Sequence, residues 1–300
     1  MDTANFYHRG GVLLEQLAPK LSRVAEHRRG ENDYITGDLE NLNVILTNQS
    51  ASIKGSLAKW FNGNNVEPLT RYDTQRSIEK LSDLLHLPMK DAKVTRLDFA
   101  STLSMSEKPA LYFPYLGSSQ HFKRETYGTT LYFKNGKREK YFYDKFLECK
   151  AKQTPLLGLE NENLLRFELR YLKQLDKVFN VSEVKGSMLY KEDFYIGLVE
   201  RWVTEYKNIT KNKLFIPSMK NLTNKNANDV LLAFLIENHG QNEVLKLAEN
   251  WRGHFSNDRE FYRFKAKLKN MKALTKPSPL ITELDTKILQ EKKHFFEKCL

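Results

Sequence analysis

Thr129-Thr130-Leu131-Tyr132-Phe133 runs through Lys134-Asn135-Gly136-Lys137 into Lys140-Tyr141-Phe142-Tyr143-Asp144-Lys145-Phe146-Leu147-Glu148. Asn-Gly between two apolar runs is the strongest short-range hairpin signal, because the turn needs positive φ. The second run therefore reads as the return strand of a hairpin. In strict alternation Tyr141, Tyr143 and Lys145 project from one face of it, and Phe142 and Asp144 from the other. A phenol next to an ammonium on a strand face invites a chemical reading.

Two further runs repeat the alternation on either side. Residues 93 to 103 read as a strand with Leu97 and Phe99 opposite Arg96 and Asp98. Leu164 to Leu172 places Leu165, Phe167 and Leu169 on one face and Arg166, Glu168 and Arg170 on the other. In each the apolar face belongs to a core, which leaves the charged face free to line a cleft. Leu42, Val44 and Leu46 alternate likewise, and Ser52 to Leu57 follows a polar break, predicting a second hairpin. Thr70 to Leu85 carries Ile78, Leu81, Leu84 and Leu85 at helical spacing before Pro88, so it reads as an amphipathic helix capped by Thr70 or Asp73.

The ends of the chain read differently. Residues 1 to 33 mix a short apolar patch with Arg9, Arg23, Arg28 and Arg29 and suggest an extended or partly helical lead-in. From about Lys191 the periodicity turns helical, over Phe194–Tyr206, Ala227–Asn238, Glu243–Trp251, Arg259–Met271 and Thr282–Lys298. Gly240 separates two of these as a tight helix pair, read as an ordinary helical hairpin or a helix-turn-helix. Arg259, Arg263, Lys265, Lys267, Lys269 and Lys272 make the fourth helix strongly basic, as a solvated face or a phosphate-tracking one. The expected fold class is α+β: an antiparallel-sheet domain over residues 1–190, then a mostly helical domain over 191–300.

Forty-eight Lys and Arg against 37 Asp and Glu give a net charge of +11, which points to a polyanionic partner, most simply nucleic acid. Cys149 and Cys299 are too few and too far apart for a disulfide framework or a zinc site. The N-terminus lacks a basic start followed by an apolar run, and no segment approaches ~18 uninterrupted apolar residues. A soluble, cytoplasmic protein with no membrane span is expected.

A tyrosine that attacks a DNA phosphodiester conserves the bond as a phosphotyrosine, so a free 3′-hydroxyl can later reseal the strand. Free tyrosine has a pKa of ~10, so the phenol needs activation or its transition state needs stabilising charge. Asp98 and Glu168 stand on polar strand faces as ligands for Mg²⁺ or Mn²⁺. Lys145 could lower the phenol pKa or neutralise the scissile phosphate, and Arg96, Arg166 and Arg170 could hold adjacent phosphates. Each residue also has an ordinary reading. Tyr143 could be a cross-strand packing residue, Asp98 with Arg96 and Glu168 with Arg166 or Arg170 could be structural ion pairs, and His121 could be a lone loop histidine.

The ordered set Thr95-Arg96-Leu97-Asp98, Tyr143-Asp144-Lys145 with Glu148, and Leu165-Arg166-Phe167-Glu168-Leu169-Arg170 resembles the phage and plasmid replication proteins of the gene II/X group. The likeness takes in Gly55-Ser56-Leu57-Ala58-Lys59 and Arg71-Tyr72-Asp73-Thr74-Gln75, and covers roughly residues 40 to 205. It implies a rolling-circle replication initiator that nicks and rejoins a specific origin site through a 5′-phosphotyrosine, with a divalent metal. By motif the catalytic pair falls on Tyr143 and Lys145, the metal ligands on Asp98 and Glu168, and DNA contacts on Arg96, Arg166 and Arg170. Arg124, in the basic His121-Phe122-Lys123-Arg124 run, is a further candidate for DNA contact. The implied partner is origin DNA, single-stranded or supercoiled, with a host helicase as a candidate. The chain departs from many rolling-circle initiators in having no His-hydrophobic-His triplet, so His121 or Glu125 is left to complete the metal site. Tyr141 is a rival nucleophile. A non-catalytic origin-binding protein and a mobilisation relaxase are the alternative functions.

Overall fold

The computed structural model describes residues 1–12, 14–29, 32–154, 158–159, 162–212, 223–271 and 278–298, so Lys272 and Cys299 lie outside the described residues. The chain divides into two compact units, one of Met1–Phe113, Ser118–Thr210 and Leu284–Leu300, the other of Pro114–Gly117 and Lys211–Glu283. Along the chain the elements are β1 (Thr3–Arg9), α1 (Leu14–Leu17), β2 (Ser22–Arg29), β3 (Asn32–Leu39), β4 (Leu42–Thr47), β5 (Ser50–Lys54), α2 (Leu57–Asn62), α3 (Arg71–Leu85) and β6 (Lys93–Met105). Then come β7 (Leu116–Ser119), β8 (Lys123–Tyr127), β9 (Thr130–Lys134), β10 (Arg138–Asp144), α4 (Lys145–Ala151), β11 (Asn163–Tyr171), α5 (Leu175–Phe179), α6 (Glu192–Lys207) and β12 (Ile209–Lys211). The remaining helices are α7 (Asn224–His239), α8 (Gln241–Asn250), α9 (Asp258–Lys269) and α10 (Pro279–Glu297). This is an α+β fold.

The first unit is built on a ten-stranded sheet in the order β2-β3-β4-β5-β1-β6-β11-β10-β9-β8. Every neighbouring pair is antiparallel. The hairpins β4–β5 and β9–β10 form where the alternation predicts them. In the second, Gly136 takes φ +76° and the Asn135 side chain accepts from Lys137 N at 3.1 Å and Arg138 N at 2.8 Å, fixing the register. The lead-in is not a peripheral segment. Ala4 and Phe6 are buried, and β1 lies at the middle of the sheet, between β5 and β6.

One face of the sheet is apolar and aromatic. Phe142 stacks on Phe167 at 4.4 Å and Phe167 on Trp202 of α6 at 5.0 Å, while Phe99 meets Phe295 of α10 at 5.2 Å. Trp202 Nε1 donates to Phe167 O at 3.2 Å, satisfying the one polar atom this packing buries. Burial of each such ring is worth about 1.5–3 kcal/mol. By that packing α6 and most of α10 belong to the compact unit of the sheet, whereas the sequence pattern changes at about residue 190. Lys140 is the exception on this face; its Nζ pairs with Glu205 at 2.6 Å and donates to Ser119 Oγ at 2.8 Å. Thr70, not Asp73, caps α3, accepting from Asp73 N at 3.1 Å.

The second unit contains α7, α8 and α9, which bury Val230, Ala233, Ala248, Phe261 and Leu268. Gly240, at φ +83°, joins α7 to α8, and Asn257 caps α9. Among the described residues no helix is long and apolar enough to cross a membrane.

Candidate active site

Strand alternation sends the charged side chains of β6, β10 and β11 to the face opposite the aromatic core, and pairing register arranges them in rows. One row is Tyr143, Arg166 and Thr102; the next is Tyr141, Glu168 and Ala100; the third is Glu139, Arg170 and Asp98. β9 extends the rows with Thr130, Tyr132 and Lys134, and Thr3 of β1 lies opposite Asp98. Residues as far apart in sequence as Thr3 and Asp98, or Asp98 and Arg170, are thus brought to neighbouring positions on a pleated surface.

The carboxylates are held by guanidinium forks. Arg96 donates through Nε at 3.0 Å to Asp98 Oδ1 and through Nη2 at 2.6 Å to Asp98 Oδ2. Arg170 donates through Nε at 2.9 Å and Nη2 at 3.2 Å to the two oxygens of Glu168, and its Nε lies 3.9 Å from Asp98 Oδ2. The Arg170 guanidinium also covers the Tyr141 ring at 3.8 Å. Tyr143 Oη donates to Glu168 Oε2 over 3.4 Å, longer than the roughly 2.7 Å of a tight O–H···O bond. Tyr141 Oη instead donates to Glu139 Oε2 at 2.5 Å.

Beside this face Arg166 is completely buried. Its Nη1 donates to Asn65 O at 2.7 Å and Thr102 Oγ1 at 2.9 Å, and its Nη2 lies 3.1 Å from Asp2 Oδ2. Its Nε has no hydrogen-bond acceptor among the described residues. An unpartnered N–H on a buried cation thus stands in the row that carries Tyr143.

Electrostatics separate the groups. Burial raises the Tyr143 phenol well above its usual range; Arg166 opposes the shift, and Glu168, Asp2 and Glu148 reinforce it. Burial also pushes the Asp98 carboxyl up to about 7, opposed by the Arg96 hydrogen bonds and reinforced by the Glu168 charge. Asp2 moves the other way. Burial would raise it, but Arg166, Ser56 and Lys145 together hold its carboxyl below the ordinary value. The resting phenol is therefore neutral, with a carboxylate as its acceptor and the Arg166 guanidinium as the main charge favouring its ionised form.

Residues 45–195 match the family described as the N-terminal region of the gene II replication-associated protein of phages. The chain belongs to this family. It is a phage gene II-type replication protein. No curated protein matches the chain.

The family's matched span runs from β4 to the start of α6 and contains Arg96, Asp98, Tyr143, Arg166, Glu168 and Arg170. These six are the expected site residues that the fold brings together. Lys145 departs from expectation: Asp144 ends β10 and caps α4 by accepting from Leu147 N at 3.0 Å, so Lys145 starts a helix instead of continuing the Tyr141–Tyr143 face. Its buried Nζ is held by Asn65 Oδ1 at 2.8 Å and Glu148 Oε2 at 2.7 Å. Arg124 also departs. It pairs in register with Phe133, on the parity of the apolar face, and donates to Phe113 O at 3.0 Å.

For a gene II-type protein the expected metal ligands need a test against the side chains present. Asp98 and Glu168 are hard oxygen donors at diagonal positions on adjacent strands. Among the described residues no group of three or more His, Cys, Asp or Glu is placed to hold a metal ion. His121 sits in an exposed turn at φ +65°. Glu125, paired with Lys123 at 2.7 Å, lies three strands from Glu168, about 14 Å at ordinary strand spacing. Neither completes a site. Two carboxylates still fit Mg²⁺, which is commonly bound by one or two of them with substrate phosphate and water.

Three residues of the site are absent from the sequence reading: Asp2, Asn65 and Glu139. Asp2 precedes β1 and lies outside the family match. Glu139 alone carried a usable signal, since it shares strand parity with Tyr141.

Proposed function

We propose that this protein initiates rolling-circle replication by nicking one DNA strand at an origin and holding the 5′ end on Tyr143. The observation that carries the reading is the Tyr143 phenol 3.4 Å from the Glu168 carboxylate, in a sheet face that also holds Arg96, Arg166 and Arg170. A neutral phenol needs a proton acceptor and a positive field, and both stand in adjacent rows.

In the proposed step Tyr143 Oη attacks the scissile phosphorus and passes its proton to Glu168. The new O–P bond forms as the bond to the 3′-oxygen breaks, and the departing oxygen takes the electron pair and is protonated to a 3′-hydroxyl. The Arg166 Nε–H stabilises charge as it develops, while Arg96 and Arg170, which are partly exposed, exchange carboxylate oxygens for DNA phosphate. Resealing is the same exchange reversed. Asp98 and Glu168 would hold a Mg²⁺ or Mn²⁺ ion, which when bound supplies charge neutralisation on the phosphoryl oxygens. Lys145 serves this site by fixing Asn65 and Glu148.

The test is incubation with single-stranded and supercoiled DNA of the cognate replicon, with Mg²⁺, Mn²⁺ or chelator, followed by denaturing electrophoresis and peptide mapping. A metal-dependent adduct on Tyr143, absent in Tyr143→Phe with DNA affinity retained, is the expected result. An adduct on Tyr141 moves the nucleophile. Tight, salt-sensitive binding to authentic origin DNA with no adduct overturns the nicking reading in favour of a non-catalytic DNA-binding protein.

A further inference from the structure

Helices α7, α8 and α9 fall outside the family match, and α9 divides its cations into paired and unpaired ones. Phe261 and Leu268 are buried and set the inward direction. Near that side Lys265 pairs with Glu249, and on the flank the exposed Lys267 pairs with Asp229, both within the unit. The outward positions follow the i, i+3, i+4, i+7 spacing: Arg259, Tyr262, Arg263 and Ala266, with Lys269 beyond. All three of these cations are exposed, and none has an ion pair or side-chain hydrogen bond among the described residues. Tyr262 between them is 53% exposed, with the Arg252 guanidinium 5.4 Å from its ring centre.

Asp258 and Glu260 in the first turn and Lys269 in the last suit the helix dipole, but the two arginines work against the helix that carries them. Arg259 stands in the first turn, where the helix dipole disfavours a cation. Arg259 and Arg263 form a like-charged i,i+4 pair, which is also destabilising. A helix that pairs Lys265 and Lys267 yet leaves Arg259, Arg263 and Lys269 without a partner among the described residues presents those three to an external anion. Arg259 and Arg263 lie about 6 Å apart along the axis, and Lys269 about 9 Å further on. That is a spacing matched to a chain of phosphates, not to one ion. The half-bared Tyr262 ring selects among phosphodiester chains, because unpaired bases can stack on an aromatic face and duplex bases hide theirs.

We infer that the outer face of α9 is a second DNA-binding surface, where Arg259, Arg263 and Lys269 hold the backbone of single-stranded DNA and Tyr262 stacks on a base. It rests on the reading of the chain as a DNA-acting initiator. It is read by affinity in chelator, with no cleavage, so its failure leaves the Tyr143 adduct test untouched and a failed adduct test leaves it standing.

The experiment uses the full chain, with oligo-dT and an unrelated duplex, over a salt series. In R259Q/R263Q/K269Q the slope of log affinity against log salt on oligo-dT falls by about 2, at ~0.7 per single-strand phosphate contact. Tyr262→Ala weakens oligo-dT binding about 5- to 150-fold, the range for one base stack, and leaves duplex binding unchanged. Gln keeps helix propensity, so circular dichroism should show α9 retained. The control changes three exposed lysines of the sheet unit, Lys54, Lys90 and Lys173, to Gln. An unchanged slope in the α9 variant, or an equal fall in the control, overturns the surface. Equal loss on duplex and single strand in Tyr262→Ala overturns the single-strand assignment.

Discussion

The Asp2 carboxylate and the Arg166 guanidinium meet at 3.1 Å, with both side chains almost wholly out of solvent. The pair ties the start of the central strand to the row that holds Tyr143. It also holds the arginine in place. Held by Asp2, Asn65 O and Thr102, Arg166 cannot travel to a distant phosphate, but it can present a steady field to the phenol beside it.

Removing Asp2 strands that buried charge, since an arginine keeps its proton in proteins. Asp2→Ala should lower unfolding free energy by about 3–5 kcal/mol, the range for a buried pair that loses one partner. Urea titration measures it. The folded pKa of Asp2 is depressed, so its contribution is present above the ordinary value of 3.8 and lost as pH falls through the lower folded value. Asp2→Asn should flatten that acid limb.

Asp98 has the opposite sign. Its folded pKa is raised to about 7 from 3.8, so its contribution to stability is full below the lower value and lost as pH rises through the upper one. In chelator, the melting temperature of the wild type should therefore fall between about pH 4 and 7 relative to Asp98→Asn. Parallel curves for the two proteins would show that the carboxyl titrates normally.

Glu168→Gln keeps the shape of the side chain and removes its capacity to take a proton. Single-turnover adduct formation on Tyr143 should slow by on the order of 10²–10⁴-fold, with origin affinity changed much less. A variant that nicks at the wild-type rate would remove Glu168 from the proton path.

Lys145→Met tests the lysine from the other side. Its ammonium is already committed to Asn65 and Glu148. The variant should lose stability, yet adduct formation per folded molecule should stay within about tenfold of wild type, under about 1.4 kcal/mol in barrier. A loss as large as that of Glu168→Gln would return Lys145 to a direct part in the chemistry.

The face that carries Arg96, Asp98, Arg166, Glu168 and Arg170 was legible because a half-buried strand writes its two faces in alternate letters. Leu97, Phe99, Phe167 and Leu169 mark the core, and the charges between them must point the other way. The break at Lys145 was less legible: Asp144 is a good cap, but the strand pattern runs straight through it. Burial of Arg166 was not legible at all, since its partners come from Asp2, the Asn65 turn and Thr102. Helical periodicity located α6 and α10, but a period gives a buried stripe without naming the surface it covers. That is why a reading by period alone puts Trp202 and Phe295 with the later helices and does not show that they pack on Phe99 of the sheet.

The position of β1 between β5 and β6 bears on how the protein assembles. Hairpins such as β4–β5 and β9–β10 join neighbours along the chain and can close quickly. The ladders β1–β6 and β6–β11 close loops of many tens of residues and must form late. Every row of the candidate site crosses β6 and β11, and its buried arginine waits for Asp2 to arrive with β1. A partly folded chain would therefore carry Tyr143 without Glu168 and Arg166 beside it, so the proposed chemistry would have to wait until the sheet is whole.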